Sequence, residues 1–143
     1  MRFVETDGGR QFSKRPSQRN DCTVVAVVMA TGMSYDEVYD HLTLLGRESN
    51  KGFIFPTGGT RVLSGPIGNW WLHYWPPDWE DHETLGEFVK ANPRGTWIIN
   101  TPEHVFTVKG GIIFDMFPHG PNETVLGVWA PLRIPAVPIK KKR

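Results

Sequence analysis

Residues 20 to 32 read NDCTVVAVVMATG, and how they are interpreted decides the fold. From Cys22 to Thr31 the chain is almost continuously small and apolar, and four valines within it would suit a strand equally well. Three features favour a buried helix over that strand. An Asn20-Asp21 pair stands where an N-cap belongs, Gly32 stands where a left-handed stop belongs, and ten residues exceed the usual strand length. Cys22, the only cysteine of the chain, then opens this helix.

Moving outward, Ser34-Tyr35-Asp36-Glu37 has the spacing of a capping box and predicts a second helix to about Leu45, with Val38, Leu42 and Leu45 at helical spacing. Leu85, Phe88 and Val89 mark a third helix, which Asn92-Pro93 ends. Between them, residues 52 to 81 are rich in Gly, Pro and Trp and carry no sustained period. They are read as an ordered, irregular covering with a short strand, whose tryptophans either line a groove or roof the core. Beyond Gly95 the pattern becomes sheet-like: TWIIN (96–100), HVFTV (104–108), IIFDMF (112–117) and VLGVWAPL (125–132) are β-branched and aromatic, punctuated by Gly, Pro and Asn. Helices followed by strands predict an α+β domain with an antiparallel sheet.

With 143 residues, 39% of them hydrophobic, the chain has the material for one core-forming domain. The expected organisation is a flexible N-terminal arm over 1–16, the domain proper over 17–133 and a basic tail over 134–143. A lone cysteine, and a polar start without an apolar signal segment, predict a free thiol in a cytoplasmic protein. No apolar run approaches the ~18 residues a membrane span needs. The net charge of +1 hides an acidic middle: six basic residues face twelve acids between positions 22 and 123, while 124–143 hold five basic residues and no acid. The tail PIKKKR offers a contact for nucleic acid or an acidic partner, but specific nucleic-acid binders show a broader basic face, so a solvated terminus is the expectation.

The chemistry concentrates on the hairpin HVFTVKGGIIFD. A two-residue turn at Lys109-Gly110 sets His104 directly opposite Asp115, whereas a turn at Gly110-Gly111 sets Phe106 opposite Asp115 and leaves His104 one step diagonal. Either register keeps His104 and Asp115 on one sheet face, within reach of an imidazole-to-carboxylate hydrogen bond. A thiol of reference pKa about 8.5 becomes a nucleophile as its thiolate, and two devices lower that pKa: a helix N-terminus and a neighbouring imidazolium. Cys22 has the first by position. His104 supplies the second if the sheet packs on the helix, with Asp115 fixing its ring. His41, His73, His82 and His119 show no ligand-like spacing with Cys22, so no metal and no cofactor is expected.

The series RNDCTV, ATGMSYDEVYDHL, TLGEFVKANPRGTWII and HVFTVKGGIIFD resembles the papain-like cysteine peptidase superfamily, and more narrowly small papain-like proteins of bacteria and their phages, over most of residues 17 to 117. The resemblance implies a central nucleophile helix packed on an antiparallel sheet. It also implies a Cys22–His104–Asp115 triad, a peptide or amide substrate, and a cytoplasmic or phage-associated setting. An oxyanion-hole Gln is implied about six positions before the cysteine, where this chain has Pro16. Gln18 and Asn20 are the amides nearest that role. The competing expectation is a non-catalytic interaction module or virion component on the same fold, docking through its aromatic segment or tail.

Overall fold

The computed structural model describes residues 1–53, 61–63, 70–74, 83–102 and 104–131, with backbone alone for 61–63, 70–74 and 131. The first helix, α1, runs Cys22–Thr31 and buries six consecutive residues, Thr23 to Val28. Such a helix is apolar on every side and must be covered on every side. Its stop is the expected one: Gly32 at φ 80° returns its N–H to the Val28 carbonyl. Helix α2 (Tyr35–Leu44) begins with the full capping box, Ser34 Oγ accepting from Glu37 N–H at 3.1 Å and Glu37 Oε1 accepting from Ser34 N–H at 3.1 Å. Val38 and Leu42 are buried, but Leu45 is 50% exposed at the C-cap and lies off the packed face. Helix α3 (Leu85–Ala91) has a second capping box, Thr84 with Glu87, and buries Leu85 and Phe88.

The strands are β1 (Arg2–Glu5), β2 (Arg61–Leu63), β3 (Trp70–Tyr74), β4 (Thr96–Thr101), β5 (His104–Lys109), β6 (Ile112–Asp115) and β7 (Gly127–Pro131), in the sheet order β1-β6-β5-β4-β7-β3-β2. An α+β domain is what the sequence predicts, but the sheet is mixed rather than purely antiparallel. Strand β1 pairs parallel with β6, Arg2 against Ile112 through Glu5 against Asp115. The first sixteen residues are therefore no detached arm: residues 2–5 form an edge strand, and a 3-10 turn at Arg10–Phe12 follows. Of the Trp-rich segment, Trp70 and Trp71 fall in β3, while Trp75, Trp79 and the basic tail lie outside the described residues.

Period-two alternation divides the core between the two sheet faces. Ile98, Val105 and Trp129 pack with α1 and α2, while their chain neighbours Ile99, Phe106 and Val128 pack with Leu85 and Phe88 of α3. Two polar ties hold α1 along β5. Thr107 Oγ1 donates to the Ala26 carbonyl at 2.5 Å, and Lys109 Nζ donates to the Met29 carbonyl at 2.8 Å. The positive charge of Lys109 thus meets the negative end of the helix. Ala26 lies beside Thr107 and Met29 beside Lys109, so α1 and β5 run side by side in the same direction. That alignment delivers Cys22, the first residue of one, to His104, the first residue of the other.

Candidate active site

Asp21 occupies the N-cap position of α1, yet its carboxylate does not cap the helix. It turns away to accept from Arg10 Nη1 at 3.1 Å to both oxygens and from the Tyr35 hydroxyl at 2.7 Å. Burial, and then this bond to Asp21, pushes the Tyr35 phenol up. The intrahelical ladder starts with Val25 N–H on the Asp21 carbonyl, so the N–H groups of Cys22, Thr23 and Val24 precede it and keep the helix end positive.

The β5–β6 hairpin decides between the two registers. Lys109 pairs with Ile112, and Gly110 and Gly111 form the turn with φ of 60° and 78°. Both central residues of such a primed turn need positive φ, which two glycines adopt freely and a lysine resists. Continued outward, this register sets Phe106 opposite Asp115 and His104 on the diagonal. The diagonal is short enough: His104 Nε2 lies 2.6 Å from Asp115 Oδ2. The other oxygen, Oδ1, accepts from Met116 N–H at 2.8 Å.

Cys22 and His104 line the same cleft, and with Nε2 given to Asp115 it is His104 Nδ1 that remains free to serve the thiol. Burial alone would raise the Cys22 pKa, but the hydrogen bond and charge of His104, with the Val105 backbone N–H, outweigh it and hold the thiol below its ordinary value. Burial likewise works against the His104 imidazolium. The bonds to Asp115 and Cys22 more than compensate, and its pKa is pushed up to about 9. Desolvation opposes the Asp115 carboxylate too, but His104 and His119 keep its pKa below the usual range. Both shifts run in the direction of a thiolate beside an imidazolium.

The three residues expected from the sequence thus come together, and they open on a cleft of about 350 Å³ lined by Asn20, Asp21, Cys22, Gly52, His104, Met116 and Phe117. The two candidate amides do not come together. Gln18 is buried away from that wall, its Oε1 accepting from Asn50 N–H and its Nε2 on Ser49 Oγ at 3.4 Å. Asn20 is on the wall at φ 52°, and one N–H of its amide goes to the Asn50 carbonyl at 2.8 Å. Among the described residues, that is the one acceptor the Asn20 amide meets, which leaves its second N–H for a ligand on the cleft. Arg47, unremarked in the sequence, is 3% exposed and fixes this loop by donating from Nη2 to the carbonyls of Arg19 and Asn20 at 3.2 and 3.3 Å.

His119 is the larger omission. Spacing sets it aside, but its Nε2 lies 2.5 Å from the same Asp115 Oδ2, and its ring stacks on Phe106 with centroids 3.9 Å apart. No periodicity announces it, because a bend rather than a helix separates it from Asp115. Among the described residues, His104, Asp115 and His119 bring three ligand-type atoms within 4.8 Å of one another. Hydrogen bonds between them occupy the lone-pair directions that a cation would need. His41 is at the end of α2, and the side chains of His73 and His82 lie outside the described residues.

Comparison of the chain with protein-family models, curated proteins and solved structures finds no match. The functional reading therefore stands on the geometry of the cleft. Among the described residues, no helix is long and apolar enough to cross a membrane.

Proposed function

We propose that this chain is a papain-like, cysteine-dependent hydrolase or acyl transferase acting on a peptide or amide bond. The observation that carries the reading is the meeting of Cys22, His104 and Asp115 at one end of the sheet, with the thiol at a helix N-terminus on the same cleft as an imidazole that a buried carboxylate holds. In this mechanism Cys22 Sγ attacks the carbonyl carbon, and the displaced π electrons gather on oxygen. The Cys22 backbone N–H and the second N–H of Asn20 receive that oxyanion. His104 passes its proton to the departing amine, leaving a thioester. Water or an incoming amine, deprotonated by His104, then attacks the thioester, and the thiol leaves. Asp115 orients the ring throughout.

The cleft also speaks to substrate. Phe117 is 49% exposed and stacks beside His104 at 5.0 Å between centroids, with Met116 next to it. Such a wall favours an apolar group beside the scissile bond. The test is alkylation of Cys22 by iodoacetamide across pH. The expected result is rapid labelling well below pH 8 that is lost in His104→Ala. A thiol that resists labelling until the protein unfolds would defeat the reading and leave a non-catalytic scaffold.

A further inference from the structure

Behind the triad, the hydrogen bonds do not end at Asp115. His119 Nε2 faces Asp115 Oδ2 at 2.5 Å, and His119 Nδ1 faces the Glu123 carboxylate at 2.8 and 3.0 Å. An unprotonated ring nitrogen set against a carboxylate would oppose two lone pairs, so a ring flanked by carboxylates on both nitrogens carries both protons. The arrangement is rigidly held. The ring lies on fully buried Phe106, Glu123 Oε2 accepts from Gly120 N–H at 2.9 Å, and the Glu123 carbonyl accepts from Leu85 N–H at the start of α3 at 2.7 Å.

We propose that His119 and Glu123 extend the triad into a chain of alternating charge, Cys22(−)–His104(+)–Asp115(−)–His119(+)–Glu123(−), in which His119 offsets the charge of Asp115 and so sets how readily His104 parts with its proton. This rests on the acyl-transfer reading of the site. An unshared carboxylate on Nε2 would hold the imidazolium tightly and make it a poor acid toward a departing amine. A second cation on the same oxygen draws that charge off, and Asp115 with His119 then acts as a nearly neutral acceptor that orients without locking. His119 is a positioning residue, since it touches Asp115 and not the reacting atoms.

The charged neighbours from every side agree with this assignment. From β5 and β6 come His104 and Asp115, and from the connecting loop comes Glu123. At the head of α1, Asp21 is paired with Arg10, whose Nη1 lies 3.4 Å from Met116 Sδ. On the α3 side, Glu87 is committed to the Thr84 cap, and Glu83 accepts Val125 N–H at its backbone carbonyl. Burial works against the His119 imidazolium, but the bonds to Asp115 and Glu123 outweigh it, and its pKa is raised.

The experiment follows the His104 and His119 ring protons by NMR through a pH titration of the full chain, in wild type, His119→Gln and Glu123→Gln. Losing the competing cation should raise the His104 midpoint by roughly one to two pH units in His119→Gln, given ring centroids 5.2 Å apart. Glu123→Gln, a change at a partly exposed side chain, should move it the same way by less, and it decides the matter if His119→Gln does not fold. A purely structural role gives the opposite sign, because loosening the Asp115 contact drops the midpoint toward that of free histidine. A His104 midpoint that stays put or falls in the folded variants overturns the proposal. The titration needs no turnover, so it is separate from the fate of the hydrolase reading, which falls if wild-type alkylation of Cys22 does not depend on His104.

Discussion

Replacing Asp115 by Asn tests how the site stores its charge. The carboxylate is 1% exposed and takes three hydrogen bonds, two from imidazoles on Oδ2 and one from Met116 N–H on Oδ1. An amide of the same shape offers an oxygen to one partner and an N–H to another, so at least one imidazole meets a donor instead of an acceptor. The His104 pKa, raised to about 9 from 6.5, corresponds to a net gain of at most about 3.5 kcal/mol, after desolvation is offset, at about 1.4 kcal/mol per pH unit. Cys22 supplies part of that and the cleft is open to solvent, so about 1.5 kcal/mol is a fairer share for Asp115. Adding a mismatched His119 brings the loss to about 2 kcal/mol, or roughly 6–10 °C in Tm for a domain of this size.

The pH dependence of this loss has a definite sign. The folded-state pKa of His104 lies above its unfolded value, so that contribution is complete below pH 6.5 and is lost as pH rises through about 9. The Asp115 pKa lies below its unfolded value of 3.8, so its contribution is present above pH 3.8 and fades as pH falls further. The difference between wild type and Asp115→Asn should therefore be greatest between about pH 4 and 6.5 and shrink toward pH 9. At pH 7 the variant should also alkylate at Cys22 on the order of ten-fold more slowly, because its ion pair is less populated. Thermal denaturation from pH 4 to 9 and iodoacetamide rates check both. A stability difference that grows with pH, or unchanged alkylation at pH 7, would refute the reasoning.

The two amides near the cysteine should separate by assay. Asn20→Ala should lower turnover of a peptide amide by about 10²-fold while leaving the alkylation pH profile of Cys22 unchanged, since alkylation develops no oxyanion. Gln18→Ala should instead cost Tm, through loss of its hold on Asn50, and show no such split between turnover and alkylation. In the same region, Tyr35→Phe removes the 2.7 Å bond to buried Asp21 while Arg10 stays in place. It should lower stability by about 1–2 kcal/mol, read by denaturant melting, without moving the Cys22 profile.

The parts of this fold that were legible in the sequence are those fixed by local chemistry. Helix α1 is bounded by an apolar run and a glycine that tolerates positive φ, and Gly32 ends it as expected. Ser34 and Glu37 announce the start of α2 because a capping box is complete within four residues. The hairpin left two registers open, although Gly110-Gly111 supplies both residues able to take positive φ, whereas the alternative would have forced Lys109 into that region. Strand β1 was not legible because its four residues are mostly exposed, and only parallel pairing with a distant strand makes it one. The placement of Gln18 and Asn20 depends on where Ser49 and Asn50 fold back, a long-range contact that no spacing encodes. His119 escaped for the same reason: its partners Asp115 and Glu123 are close in sequence, but a turn rather than a periodic element brings them into line.

Whether Cys22 is a thiolate at neutral pH can be read directly from the ultraviolet absorbance of its sulfur. The spectrum of Cys22→Ser is subtracted from that of wild type, and the difference is followed across pH. The thiolate band should be present at pH 7, persist well into the acid range and disappear in His104→Ala. A band that emerges only near pH 9, with His104 intact, would mean an ordinary thiol and no ion pair.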